Sequence, residues 1–162
     1  MRRRHGSEAL GRVHPVALVT AETDNQLVVV DLNRGRVLKR IAVAAGPQYV
    51  APERGVSAVV STGAGALTLL EGDPLRVAKV LRDFDAPHVT AMSPDGEYAY
   101  VTDDSRGTVT AIQLSDGRVT STIRVGPGAR FGQRPRYARL RSSLLSRSAA
   151  GPSSTITPVD RT

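Results

Sequence analysis

His88, the pair Asp103-Asp104 and the acidic positions Asp31 and Glu71 are the side chains of this 162-residue sequence whose types and spacing can do chemistry. A histidine is the commonest metal ligand and a base near neutral pH. A metal site, however, needs three or four convergent donors, and nothing pairs with His88 at ligand spacing. Adjacent aspartates can hold Ca²⁺ or share acid and base roles. Placed ahead of Ser105-Arg106-Gly107, they are also ordinary turn chemistry. Asp31, Glu71 and Gln113 share one slot of a repeat described below. An alternation of acid, acid and amide predicts a solvated strand end there, not a catalytic requirement. Ser61-Thr62-Gly63-Ala64-Gly65 contains Gly-x-Gly but lacks the Lys and the following helix of a phosphate loop, so it reads as a hairpin. No nucleophile elbow is present. Cysteine is absent, which excludes a disulfide framework and a thiolate site. The candidate channel or loop contacts are therefore His88, Asp103 and Asp104. No residue is assigned a catalytic, metal or cofactor role, and no cofactor is implied.

The elements that must position these residues repeat. Ala17-Leu18-Val19-Thr20 returns as Ala58-Val59-Val60-Ser61 and as Ala99-Tyr100-Val101-Thr102, each step being 41 residues. A period near 40 with short strands points to propeller blades. The copy over 87–128 is the clearest. Pro87–Met92 reads as a first strand, and Ser93-Pro94-Asp95-Gly96 as a tight turn. Glu97–Thr102 is a second strand and Thr108–Leu114 a third, rich in β-branched residues. Ser115-Asp116-Gly117 makes a hairpin. Arg118–Val125 alternates apolar and polar residues, as an outermost strand with one wet face does. Asn25, Gly65 and Gly107 occupy one turn slot, Gly35 and Gly117 another, and Gly55 and Gly96 a third; all tolerate positive φ. Asp73-Pro74 replaces the glycine in the middle copy, which predicts a different turn with Pro at its second position. Pro47-Gln48-Tyr49-Val50-Ala51 matches Pro87-His88-Val89-Thr90-Ala91 at a step of 40. The third strands, Leu27–Leu32 and Leu67–Leu70, are nearly continuous apolar runs that suit burial on both faces. A generic β-sandwich gives no reason for turn slots at a fixed interval.

The predicted fold is all-β: consecutive four-stranded antiparallel blades over about 16–51, 48–91 and 87–128, in an incomplete ring. The first copy lacks its inner strand, whereas a ring takes 4–8 blades. The flanks differ in composition. Residues 1–12 carry a net +3, residues 130–162 a net +6, and 13–129 a net −2. The overall +7 therefore belongs to the tails, not to a folded basic face of the kind nucleic acid requires, and no specific nucleic-acid partner is implied. Residues 1–15 read as a disordered basic leader, because Gly6–His14 offers no apolar core for an export signal. Compartment is left unassigned. Residues 130–162 read as an Arg/Ser-rich, mostly disordered tail with a possible short helix over 136–148. No apolar run approaches the ~20 residues of a membrane helix.

Ala99-Tyr100-Val101-Thr102-Asp103, preceded by Ser93-Pro94-Asp95-Gly96, resembles the YVTN-type β-propeller repeat. Asp103 stands in the family's Asn slot, and only this copy keeps Tyr. Ile123-Arg124-Val125-Gly126-Pro127 is similar to the family's end-of-blade segment. The resemblance covers about 16–129. It implies a binding or scaffold module, often extracytoplasmic, and a chain that is a piece of a longer protein. Its partners are then the missing blades, further copies of itself, or an unknown protein or small-molecule ligand. The alternative is part of a propeller enzyme of the lactonase or quinoprotein dehydrogenase kind, inactive as this isolated chain.

Overall fold

The computed structural model describes residues 15–53 and 55–129. The expected leader, the tail and its helix over 136–148 lie outside those residues. Eleven strands run in chain order: β1 (Val16–Ala21), β2 (Gln26–Asp31), β3 (Arg36–Ala42), β4 (Pro47–Glu53), β5 (Val56–Ser61), β6 (Ala66–Glu71), β7 (Arg76–Leu81), β8 (Pro87–Met92), β9 (Tyr98–Asp103), β10 (Thr108–Gln113) and β11 (Arg118–Arg124). They form one three-stranded sheet, β1-β2-β3, and two four-stranded sheets, β4-β5-β6-β7 and β8-β9-β10-β11. Every pairing is antiparallel and joins strands adjacent in sequence. Among the described residues there is no helix. β9 begins at Tyr98, one residue later than expected, because the Asp95 carboxylate accepts the Glu97 amide at 3.0 Å and keeps Glu97 in the turn. The middle copy does turn differently: the Asp73–Pro74 peptide bond is cis and Gly72 has φ +85°.

Strand pairing corrects the alignment of the repeated word. Ala21 faces Gln26, Ser61 faces Ala66 and Asp103 faces Thr108 across their hairpins. These three residues are therefore equivalent, at steps of 40 and 42 rather than 41. The turn slots Asn25, Gly65 and Gly107 keep the same uneven steps. A one-residue slip in a strand exchanges its two faces. The word thus matches residues that point in opposite directions, and the glycine-bearing turns carry the true register.

The corrected register sorts the core. In β1 and β2, Leu18, Leu27 and Val29 point toward the second sheet and pack with Val59 and Leu70. In β5 and β6, Ala58, Val60, Leu67 and Leu69 point the other way, against Ala99, Val101 and Ile112 of the third sheet. The middle sheet is buried on both faces, so its third strand reads Ala66-Leu67-Thr68-Leu69-Leu70, all at or below 1% exposure. Each such leucine contributes roughly 1.5–3 kcal/mol relative to an exposed one. The outer strands β3, β7 and β11 are largely exposed. Two of them reach across: Lys39 Nζ donates to the Leu75 carbonyl at 2.7 Å, and Lys79 Nζ, 40 residues on, donates to the Asp116 carbonyl at 2.5 Å.

The slot of Asn25, Gly65 and Gly107 shows why glycine recurs. φ is +56°, +56° and +61° at the three. A Cβ on Gly65 would lie 2.3 Å from the Phe84 carbonyl oxygen, and one on Gly107 would lie 2.5 Å from that of Gly126. The strand leaving each sheet closes onto this turn, as in the Val43 and Val125 amides that donate to the carbonyls of Asn25 and Gly107. At the first copy the Asn25 side chain also accepts the Gly46 amide at 2.9 Å.

Candidate functional site

His88, Asp103 and Asp104 lie at one end of the sheets, where the inner strands begin and the β1–β2, β5–β6 and β9–β10 turns lie, whereas Asp31 and Glu71 lie at the other. Gln48 and His88 are the second residues of β4 and β8. Both ladders are irregular there, skipping from Pro47 to Tyr49 and from Pro87 to Thr90. A bulge re-aims its side chain and leaves ladder groups to find other partners. At His88 the replacement is the Thr102 hydroxyl, which accepts the Val89 amide at 3.2 Å. The half-buried His88 therefore sits on a bulge pinned from β9.

By the corrected register Glu22, Thr62 and Asp104 are equivalent turn residues facing these bulges. Together they make a polar row across the three sheets. Gln48 Nε2 donates to Glu22 Oε1 at 3.2 Å. Thr62 Oγ1 lies 3.0 Å from Gln48 Oε1 and 2.6 Å from the Pro87 carbonyl. Thr20 Oγ1 reaches the Gln48 carbonyl at 3.5 Å. Asp104 is half-buried, and its amide donates to the Ala86 carbonyl at 3.0 Å. Gln48 escaped the sequence reading although the signal was present, in the 40-residue step that aligns Pro47-Gln48 with Pro87-His88.

Asp103 does not stand with its neighbour. The sequence reads it as a channel or loop contact or as turn chemistry; it is 0% exposed. Alternation along β9 turns it into the cleft between the second and third sheets, opposite in sense to Asp104. There its carboxylate accepts the amides of Asp85 at 2.8 Å, Ala86 at 3.2 Å and Arg106 at 3.0 Å. Those bonds tie the β7–β8 connection to the β9–β10 turn. The Arg106 guanidinium closes the same corner, 2.9 Å from Asp85 Oδ1 and 2.8 Å from the Asp83 carbonyl. The Asp85 hydrogen bond is the main reason Arg106 holds its proton more tightly than usual, and it holds the Asp85 carboxyl below the ordinary carboxylate range. The Arg106 corner borders a cavity of about 120 Å³, lined also by Phe84, Thr108, Thr110 and Val119.

The slot of Asp31, Glu71 and Gln113 needs a second correction. Glu71 is exposed, as a solvated strand end should be, but Asp31 is 1% exposed. It accepts the amides of Asn33 and Arg34, each at 2.9 Å, and the Arg34 guanidinium at 3.0 Å. The Arg34 amide is the largest cause of a lowered Asp31 pKa; burial opposes it. Asp31 adds a carboxylate cap to a turn that also carries Gly35 at φ +60°. Among the described residues no three His, Asp or Glu side chains gather as a metal site, and no helix is long and apolar enough to cross a membrane.

Neither a family model nor a curated protein matches the sequence. Solved structures do match. Hydrazine synthase of Kuenenia stuttgartiensis superposes with a TM-score of 0.64 at 17% identity, over 69% of this chain and 33% of that one. The periplasmic gluconolactonase PpgL of Pseudomonas aeruginosa gives 0.60 at 19%, over 71% and 38%. A functionally unknown protein of Desulfotomaculum acetoxidans gives 0.62 at 14%, over 68% and 37%. The chain thus spans about a third of the length of these structures. At such identities the likeness establishes the fold: the three sheets are consecutive β-propeller blades.

Proposed function

We propose that this chain is a non-catalytic β-propeller segment that serves as a binding or scaffold module, and that it is a piece of a longer YVTN-type protein. The observation that carries this reading is the fate of Asp103. This carboxylate, one of the three candidate channel or loop contacts, is fully enclosed and accepts three backbone amides. The remaining polar row is likewise joined side chain to side chain, Glu22 to Gln48 to Thr62. Such groups hold blades in register and leave the surrounding loops as the recognition surface, which is where binding residues concentrate on rigid scaffolds.

One of the structural neighbours is a gluconolactonase, so lactone hydrolysis is the sharpest test. The purified chain, supplied in turn with Ca²⁺, Mg²⁺, Mn²⁺ and Zn²⁺, is expected to leave the hydrolysis rate of glucono-δ-lactone unchanged. Acceleration proportional to protein and dependent on metal overturns the non-catalytic reading. Membership of a longer protein is tested on the DNA beyond the codon for Gly128, read in three frames. Further Pro-initiated strands and Asp-Gly hairpins at about 40-residue spacing are expected; their absence in every frame removes that part.

A further inference from the structure

The two junctions between blades meet the same packing problem with different chemistry. In the first, Ser61 fastens the β3–β4 connection, its Oγ donating to the Ala44 carbonyl at 2.8 Å. In the second, its equivalent Asp103 fastens the β7–β8 connection by accepting the Asp85 and Ala86 amides. Around this shared fastening the register matches Val43 with Asp83, Ala64 with Arg106, Ala66 with Thr108 and Val80 with Thr122. Stacking one blade on the next therefore requires none of the four polar groups, because the first junction is apolar in every one of these slots. All four line the cavity of about 120 Å³ beside Arg106, with Phe84 as an apolar wall. Asp83 and Arg106 lie 3.6 Å apart as an ion pair, which accounts for those two and not for the threonines. Thr108 is 9% exposed, and its Oγ1 has no partner among the described residues. A buried hydroxyl left unbonded is costly. The Thr110 and Thr122 hydroxyls stand 3.4 Å apart, too long to satisfy either fully. The Arg106 guanidinium has five N–H donors, of which two are spent on the Asp83 carbonyl and the Asp85 carboxylate.

We propose that this cavity between the second and third blades binds a small neutral polyhydroxyl compound, a polyol or one edge of a sugar ring. The groups open to a ligand are guanidinium donors and threonine hydroxyls, and a hydroxyl ligand can accept from the first and exchange hydrogen bonds in either sense with the second. Charge sets the class. An anion would enter a corner where three carboxylates, Asp83, Asp85 and Asp103, surround one guanidinium. A cation would find no open carboxylate on the wall: Asp103 is spent on three amides, Asp85 is bonded to Arg106, and the Asp83 side chain is turned to solvent. Size sets the length. The volume of about 120 Å³ is somewhat below the ~150 Å³ of a cavity that takes benzene, so a ligand of about six heavy atoms fits. Phe84 faces its carbon skeleton. The site rests on no part of the scaffold reading, and lactone hydrolysis plays no role in its test, so each can fail without the other.

The test is ¹H–¹⁵N correlation spectroscopy on the full chain titrated with glycerol, with sodium acetate and methylammonium chloride as parallel titrants. Glycerol should shift the amides of Phe84, Asp85, Arg106 and Thr108 and saturate with a Kd on the order of millimolar, as so small a ligand allows. The two salts should leave those amides without a saturating shift. Thr108→Val keeps the shape and removes the hydroxyl, and should weaken glycerol about tenfold, the worth of one hydrogen bond. Thr122→Val, which gives the slot the residue of the first junction, should weaken it as well. Thr68→Val, in the first junction, should change nothing. Glycerol shifts that are absent, or that grow without saturating, overturn the site. Saturation by acetate or methylammonium in place of glycerol overturns the ligand class. Undiminished affinity in both threonine variants of the cavity, each with wild-type dichroism, overturns the placement of the ligand.

Discussion

Asp103→Ala is the substitution that separates a fastening carboxylate from a recognition group. The side chain accepts three amides, from Asp85, Ala86 and Arg106, in a position with 0% exposure. Truncation leaves these donors without their acceptor. A buried unsatisfied donor costs about 1–3 kcal/mol. Asp85 and Arg106 are both exposed, with 56% and 39% of their side chains open to solvent, so water can reach both amides and only the Ala86 donor bears the full cost. The expected loss is about 2 kcal/mol. With a urea m-value of about 1.5 kcal/mol/M this moves the unfolding midpoint down by about 1.3 M. Asp103→Asn keeps one acceptor oxygen, which serves Ala86 and Arg106, and sets an NH₂ against the Asp85 amide; a loss of about 1–2 kcal/mol is expected. The assay is urea unfolding followed by dichroism, all variants at one protein concentration so that association does not enter. If Asp103→Ala unfolds within about 0.5 kcal/mol of wild type, the carboxylate does not hold the two loops together and the reasoning fails.

Three further outcomes follow from particular contacts. Gly65→Ala places a Cβ 2.3 Å from the Phe84 carbonyl at φ +56°, whereas Gly35→Ala meets nothing within 4 Å at φ +60°; the second should cost about 1–2 kcal/mol for the left-handed backbone alone, and the first clearly more, as read by thermal melting. Asp31 has a folded-state pKa below the ordinary aspartate value, held there by the Arg34 amide, so its stabilisation is complete above the unfolded pKa and is lost as pH falls through the lower folded value. Urea midpoints should therefore drop below about pH 4, and Asp31→Asn should flatten that drop. Thr68 is 0% exposed and its Oγ1 has no partner among the described residues; Thr68→Val keeps the shape, removes the unpaired hydroxyl, and should raise stability by about 1 kcal/mol in the same assay.

Strand order, hairpin positions and the three strands of the first copy among the described residues were legible because they rest on local rules. Apolar alternation makes strands, and turns needing positive φ draw Gly or Asn. The turn slots at 25, 65 and 107 even carried the correct uneven register, since a turn's backbone conformation is set within four residues. The repeated Ala-apolar-Val-hydroxyl word misled by one residue, because small and apolar residues suit either face of a strand buried on both sides. Only packing decides which face meets which neighbour. The same limit explains the acids. Asp103 and Asp104 are adjacent in sequence, and neither composition nor spacing says which is enclosed. That depends on the β7–β8 connection arriving from 17 residues away with two amides to satisfy. Asp31 looked like a solvated strand end until the turn after it folded back to cap the carboxylate. The chain alone therefore determined that blades form and where they turn. The stacking of one blade on the next determined which polar groups became internal fastenings and which remained at the mouth, because burial and hydrogen-bond partners are properties of the neighbouring sheet.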